Sequence, residues 1–257
     1  MVDALLQRGW CRFAEDAAVR AWAEAALPAA RVAMHDPAQA HWWQCEDTWF
    51  VGVDALDNDA RGAVAGGPSL CGAPVSVISE MFGSLPALHK AQVSVVREGY
   101  PKPRAGESEA AFGYRLRRDA AHVDGIRAEG AARRRRIAEP HMFILGLPLT
   151  DAGPDAAPMV LWEGSHEIMR TRLRDALADH KAEDWGQVDI TEAYVAARRE
   201  VFETCERVEV HAVPGESYLL HRLTLHGVAP WRAGAGDRII AYFRPEVATV
   251  AEWIEAP

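Results

Sequence analysis

Two residues of complementary chemistry stand two positions apart in DAAHVDGI, residues 119–126: His122 and Asp124. On an extended strand successive side chains alternate between faces, so positions i and i+2 project from the same one. An imidazole nitrogen and a carboxylate oxygen placed in this way can share one cation. The chain has ten histidines, so an isolated H-x-D carries little weight. A second element adds to it. In SYLLHRLTLHGVAPWRAGAGDRIIAYF, residues 217–243, His226 is followed by Gly227, a loop, and then Arg238 at the start of an apolar run. Two histidines and one carboxylate leave three positions open on octahedral iron(II), as a bidentate 2-oxo acid plus dioxygen requires. His122, Asp124 and His226 are therefore the candidate metal ligands and catalytic centre. His166 and His221 compete with His226 for the third place. His141 and His211, in or beside predicted strands, read as structural residues.

The elements that must position these residues are written in the texture of the chain. From residue 92 onward, AQVSVVRE, HMFILGLPL, PMVLWEG, RVEVHAV, SYLL, LTLHGV and RIIAYF are β-branched or aromatic runs separated by Gly, Pro and Asp, which predicts an antiparallel β core. Residues 16–31 are Ala-rich with apolar positions at three- and four-residue spacing, predicting an amphipathic helix interrupted near Pro28, and a second helix is expected over 74–82. Residues 190–205 predict a helical insertion between core strands, opening after Asp189 as N-cap. The Ala/Arg-rich GAARRRRIAEP, residues 130–140, reads as an exposed loop. The expectation is one domain over 1–257, with a mainly helical region over 1–90 and a β sandwich or barrel over 91–245.

Composition narrows the function classes. A chain of 257 residues, 49% hydrophobic and 25% charged, can bury one sizeable core. The formal net charge of -9 argues against a nucleic-acid partner, because neutralising phosphates needs a dominant basic face. Cys11, Cys45, Cys71 and Cys205 lie far apart without a C-x-x-C pair and read as buried free thiols. MVDALLQRGWCRFAED lacks the layout of a signal peptide, and no apolar run approaches about 18 residues, so a cytoplasmic protein with no membrane partner is expected.

The sequence resembles the phytanoyl-CoA dioxygenase family, whose members carry H-x-D, a turn like P-G-S-H, a distal His-Gly and then an Arg. Here those elements read His122-Val123-Asp124, Glu163-Gly164-Ser165-His166, His226-Gly227 and Arg238, in the family's order over roughly residues 92–245, with Glu163 where the family has Pro. The resemblance implies a double-stranded β-helix, a jelly-roll or cupin-like barrel, with iron(II) at one mouth and the cosubstrate 2-oxoglutarate beside it. It also implies hydroxylation or a related desaturation of a small organic substrate by dioxygen, with release of succinate and carbon dioxide. Relatives of this fold that halogenate have a small residue in place of the carboxylate, so Asp124 speaks against halogenation.

Arg238 would then bind the distal carboxylate of 2-oxoglutarate, since a planar guanidinium offers a bidentate, charge-assisted pair. Alternation along RIIAYF groups Arg238, Ile240 and Tyr242 on one face and Ile239, Ala241 and Phe243 on the other. Arg232 and Arg244 are the fallback candidates. Gln92 either reaches the cosubstrate or faces solvent from an edge, and Ser165 either shapes the pocket rim or is simply a turn residue. Trp42, Trp43 and Trp49 form a core plug or an aromatic wall. Arg104, Arg115, Arg117, Arg118, Arg127 and Arg133 to Arg136 concentrate near the H-x-D, as a solvated surface or as an attraction for an anionic substrate. Two other readings stay open: a cupin-like metal enzyme without a 2-oxo acid, and a barrel that binds a small molecule without turnover. Oligomeric state is not legible.

Overall fold

A computed structural model describes residues 1–256. Its strands are β1 (Trp10–Phe13), β2 (Trp43–Gln44), β3 (Trp49–Phe50), β4 (Gln92–Val96), β5 (Ile126–Glu129), β6 (Arg134–Ile137), β7 (Phe143–Pro148), β8 (Met159–Trp162), β9 (Arg207–Val210), β10 (Ser217–His221), β11 (His226–Val228) and β12 (Arg238–Phe243). Seven of them form a large sheet in the order β1-β10-β7-β12-β4-β3-β2, and a smaller sheet runs β11-β8-β9. All named strand pairings are antiparallel. The two sheets face each other as the double-stranded β-helix expected from the sequence.

Alternation along the strands builds three apolar layers. On β12, Ile240 and Tyr242 point into the barrel, where they meet Ile144, Tyr218 and Leu220 of the large sheet and Met159, Leu161 and Val210 of the small one. Ile239, Ala241 and Phe243 point outward with Val93, Val95, Leu145 and Leu147. The helices are α1 (Val2–Arg8), α2 (Ala17–His35), α3 (Ala73–Phe82), α4 (Glu109–Arg117), α5 (Ser165–Leu177), α6 (Thr191–Thr204) and α7 (Val250–Glu255). Trp22, Ala26, Ala30 and Met34 of α2, with Val77 and Ile78 of α3, cover the outer face of the large sheet. Val160 and Trp162 on the outer face of the small sheet pack with Met169 and Leu173 of α5, Tyr194 and Val201 of α6, and Trp253 of α7.

Four expectations need correction. Helix α2 runs through Pro28 without a break: Pro28 and Glu24, whose carbonyl loses its intrahelical donor, both lie on the exposed face, where water can replace the missing bond. The arginine run is no loop, since Arg134 to Ile137 form β6 and pair with Ile126 to Glu129 in a hairpin. The Gly-Ser-His element is not only a turn, because Ser165 opens α5, so the insertion between core strands includes α5 as well as α6. The thiols are all free, but only Cys11 and Cys45 are buried; Cys205 is half-buried and Cys71 exposed. The Asp189 carboxylate accepts the Thr191 N–H at 3.0 Å at the start of α6. No helix among the described residues is long and apolar enough to cross a membrane.

Candidate active site

Residues 119–122 run beside β11, and His122 and His226 form an antiparallel bridge. The His122 N–H donates to the His226 carbonyl at 2.8 Å, the His226 N–H to the His122 carbonyl at 3.0 Å, and the Val228 N–H to the Asp119 carbonyl at 2.8 Å. Gly227 permits this approach: a Cβ there would stand 2.1 Å from the Asp119 carbonyl oxygen. The chain then turns at Gly125, where φ is +85° and a Cβ would stand 2.0 Å from the Glu139 carbonyl oxygen. The two glycines flanking the ligands are thus sites of backbone contact. Between the ligands, Val123 is buried in the outer layer with Tyr194 and Val201, which leaves His122 and Asp124 on the opposite side.

The Asp124 Oδ1 atom lies 3.1 Å from His122 Nε2 and 3.7 Å from His226 Nε2. One ligand atom from each of the three residues lies within 4.8 Å of the others, and no second group of three such side chains occurs among the described residues. Cis ligands on an octahedral ion at about 2.1 Å would stand about 3 Å apart, so these spacings suit a single metal. The tautomers suit it as well. His122 Nδ1 faces the Ala120 carbonyl at 3.0 Å and His226 Nδ1 faces the Thr224 carbonyl at 2.9 Å. A carbonyl only accepts, so each Nδ1 carries the proton and each Nε2 presents its lone pair toward Asp124.

Charge is balanced locally. Burial drives the Asp124 carboxyl up, but the Arg244 guanidinium, followed by His122 and His226, overrides it and holds the carboxyl well below its usual range. Arg244 Nη1 lies 3.0 Å from Asp124 Oδ2. Burial pushes His226 down to about 4, despite the opposing pull of Asp124, so its imidazole is neutral near neutral pH and available as a ligand.

The three residues open on a cavity of about 160 Å³, walled by Trp49, Val51, Val53, Ile144, Met159 and Val228, with Gln92, Ser94, Tyr242 and Arg244 as the other polar contributors. Its polar groups are engaged within the protein. The Gln92 amide donates to the Val51 carbonyl at 2.8 Å, and the Tyr242 and Tyr218 hydroxyls meet at 2.8 Å. Gln92 therefore faces this cavity rather than solvent. Trp49 is in its wall, whereas Trp42 and Trp43 pack against the outer layer. None of the arginines from Arg104 to Arg136 lines it. Several are already paired, Arg115 with Glu107, Arg127 with Glu139 and Arg134 with Asp189.

Arg238 is only 7% exposed, and its Nη1 and Nη2 atoms are buried with no hydrogen-bond partner. It lines a smaller adjoining cavity with Thr150, His211 and Tyr218. The Tyr218–Tyr242 hydroxyl pair stands between the two spaces, Tyr218 lining the one with Arg238 and Tyr242 the one with His226. The fallback arginines are otherwise occupied, Arg232 by Asp155 and Glu209 at the surface and Arg244 by Asp124.

Ser165 lies away from both cavities. It is fully buried and its hydroxyl accepts the Leu225 N–H at 2.9 Å, next to His226. His166 and His221 stand together with ring centroids 4.9 Å apart, outside the three-residue group. His166 Nε2 donates to the Leu6 carbonyl at 2.9 Å, and His141 Nδ1 donates to the Arg244 carbonyl at 3.0 Å. Sequence reasoning gave no site role to Tyr218 or Tyr242. Alternation marked Tyr242 as sharing the Arg238 face, but the register that brings Tyr218 to it is nonlocal.

No protein-family model matches the sequence, and no curated protein matches it. Solved structures do resemble the fold. AviO1 from Streptomyces viridochromogenes Tue57 is similar with a TM-score of 0.50 at 14% identity, over 96% of this chain and 94% of that one. EctD from S. alaskensis, solved with 2-oxoglutarate and 5-hydroxyectoine, gives 0.48 at 15% identity over 96% and 76%. The non-heme alpha ketoglutarate dependent carbocyclase SnoK from nogalamycin biosynthesis gives 0.48 at 11% identity over 98% and 87%. The chain is a double-stranded β-helix protein with a His-Asp-His group lining a cavity between its sheets.

Proposed function

We propose that this chain is an iron(II)- and 2-oxoglutarate-dependent oxygenase that hydroxylates a small organic substrate, with residues 1–257 acting as one oxygenase domain. The observation that carries the reading is the pairing of two features inside one barrel. One is a set of three ligand atoms with room beside it. The other is a buried guanidinium whose two terminal nitrogens lack partners. A buried, unpartnered charge is costly and calls for an anion of matching geometry, which a carboxylate supplies. The order H-x-D, Gly-Ser-His, His-Gly, Arg supports a place near the phytanoyl-CoA dioxygenase family.

On this reading His122, Asp124 and His226 hold the iron, and Arg238 orients 2-oxoglutarate by its distal carboxylate. Bound iron and cosubstrate supply the activation of dioxygen, coupled to loss of carbon dioxide from the 2-oxo acid. The chain's own contribution is placement and exclusion. The two Nδ1–carbonyl contacts keep the imidazole lone pairs aimed at the metal, and Gln92 borders the cosubstrate space. Trp49, Val51, Val53, Met159 and Val228 form an apolar wall that keeps water from the reacting centre and presents a substrate C–H bond to it.

The test is anaerobic titration of the metal-free protein with iron(II) and 2-oxoglutarate, following the visible metal-to-ligand charge-transfer band in wild type and Arg238→Ala. A band that needs both additions and weakens in the variant is expected. Iron binding without a band overturns the cosubstrate assignment and favours a metal-dependent barrel that uses no 2-oxo acid.

A further inference from the structure

The Asp124 carboxylate divides its two oxygens between different partners. Oδ1 faces both imidazoles, at 3.1 Å from His122 Nε2 and 3.7 Å from His226 Nε2, while Oδ2 is held 3.0 Å from Arg244 Nη1. A carboxylate beside a metal can bind through one oxygen or both, and binding through both removes a position from the open face of an octahedral ion. We propose that Arg244 is a positioning residue that restricts Asp124 to one metal-facing oxygen, and so preserves a third open site for an exchangeable ligand. This rests on the metal reading given above.

The local structure supports a fixed role for Arg244. It directly follows the last residue of β12 in the large sheet, whereas Asp124 follows the bridge beside the small one. The chain around it is clamped to residues 140–142. The Arg244 carbonyl accepts from His141 Nδ1 at 3.0 Å, the Pro245 carbonyl from the Met142 N–H at 2.6 Å, and the Val247 N–H donates to the Pro140 carbonyl at 2.8 Å. The two side chains of the ion pair are themselves only 15% and 12% exposed. A guanidinium held on a rigid backbone in a mostly buried pair can fix the orientation of its partner, where a solvated surface pair would not. Arg244 also borders the cavity, so the same charge could serve as an anchor for an anionic ligand. Its occupation by Asp124 favours the positioning role.

The experiment counts open metal sites directly, without turnover. Manganese(II) alone is bound to wild type, Arg244→Lys, Arg244→Gln and Arg244→Met, and the number of exchangeable waters is obtained from the field dependence of water-proton relaxation. Asp124→Asn, with its weakened affinity, verifies that the ion sits at this group. Wild type should show about three waters and Arg244→Gln about two, with Arg244→Lys returning toward three because it keeps the charge. Arg244→Met, which keeps the bulk of the stem but no donor, should match Arg244→Gln and replaces it if that variant does not fold. Unchanged water counts in folded Gln and Met variants overturn the proposal while leaving the metal site intact. Failure of wild type to bind manganese(II) or iron(II) at this group overturns the proposed function itself, so the two failures are distinguishable.

Discussion

His122 and His226, far apart in the chain, are set opposite each other by backbone pairing, with two N–H to carbonyl bonds of 2.8 and 3.0 Å and ring centroids 4.7 Å apart. Ligand spacing here is inherited from β-register. The most direct disturbance is therefore made at the backbone.

Gly227→Ala should separate residues 119–122 from β11, because its Cβ would lie 2.1 Å from the Asp119 carbonyl oxygen. Metal affinity is expected to fall about 10–100-fold, the size of loss that follows disturbed ligand orientation, with about 1–3 kcal/mol lost from stability. Gly186→Ala, whose Cβ would meet nothing closer than 3.6 Å, is the control. Isothermal titration with manganese(II) decides it, and equal affinity in the two variants would remove Gly227 from the account.

Arg238→Met should move stability and binding in opposite directions. Removing a buried guanidinium whose terminal nitrogens have no partners should stabilise the ligand-free protein by about 1–3 kcal/mol. The same change should weaken 2-oxoglutarate binding at least about tenfold. Urea denaturation with and without 2-oxoglutarate measures both effects. A destabilised ligand-free variant would mean that Arg238 has a structural partner after all.

Ser165→Ala separates a structural from a cosubstrate role. The Ser165 hydroxyl accepts the buried Leu225 N–H at 2.9 Å, so its loss should cost about 1–3 kcal/mol as an unsatisfied donor. The charge-transfer band should form at nearly the same 2-oxoglutarate concentration. A large shift in that concentration with unchanged melting would return Ser165 to the pocket rim.

Burial pushes His226 down to about 4 from 6.5, and it lowers His221 and His141 too. Below about pH 6.5 the unfolded chain binds protons that these buried rings refuse, so unfolding is favoured as pH falls. Stability of the metal-free protein should drop from pH 6.5 toward pH 4, by up to about 1.4 kcal/mol per pH unit for each histidine. Asp124, held below its usual 3.8, contributes only under that window. Denaturation midpoints that stay level between pH 7 and pH 4.5 would contradict the burial of these rings.

Much of this was legible because it is local. Alternation in RIIAYF separated Arg238, Ile240 and Tyr242 from Ile239, Ala241 and Phe243, and the structure divides them in the same way. The H-x-D and His-Gly elements mark the three residues whose ligand atoms the fold brings within 4.8 Å of one another, because strand period and glycine contact are properties of short segments. Pairings between distant segments were not readable. Four consecutive arginines look solvated by composition, yet β6 is recruited by β5 and by Tyr194, whose ring lies 5.4 Å from the Arg135 guanidinium. Arg244 was read as a rival of Arg238, because nothing near it in sequence indicates that its partner is Asp124.

The two ends of the proposed ligand space belong to different layers of the barrel: His226 to the small sheet, Arg238 to the large one. On the proposed reading a diacid chelated at one end and clasped at the other becomes a tie rod between the sheets. Its length then gauges how far apart the sheets may stand, and relative sliding of the layers is damped when it is seated. Cosubstrate loading would be felt mechanically throughout the barrel, and slower amide hydrogen exchange in β8 and β12 would be its trace.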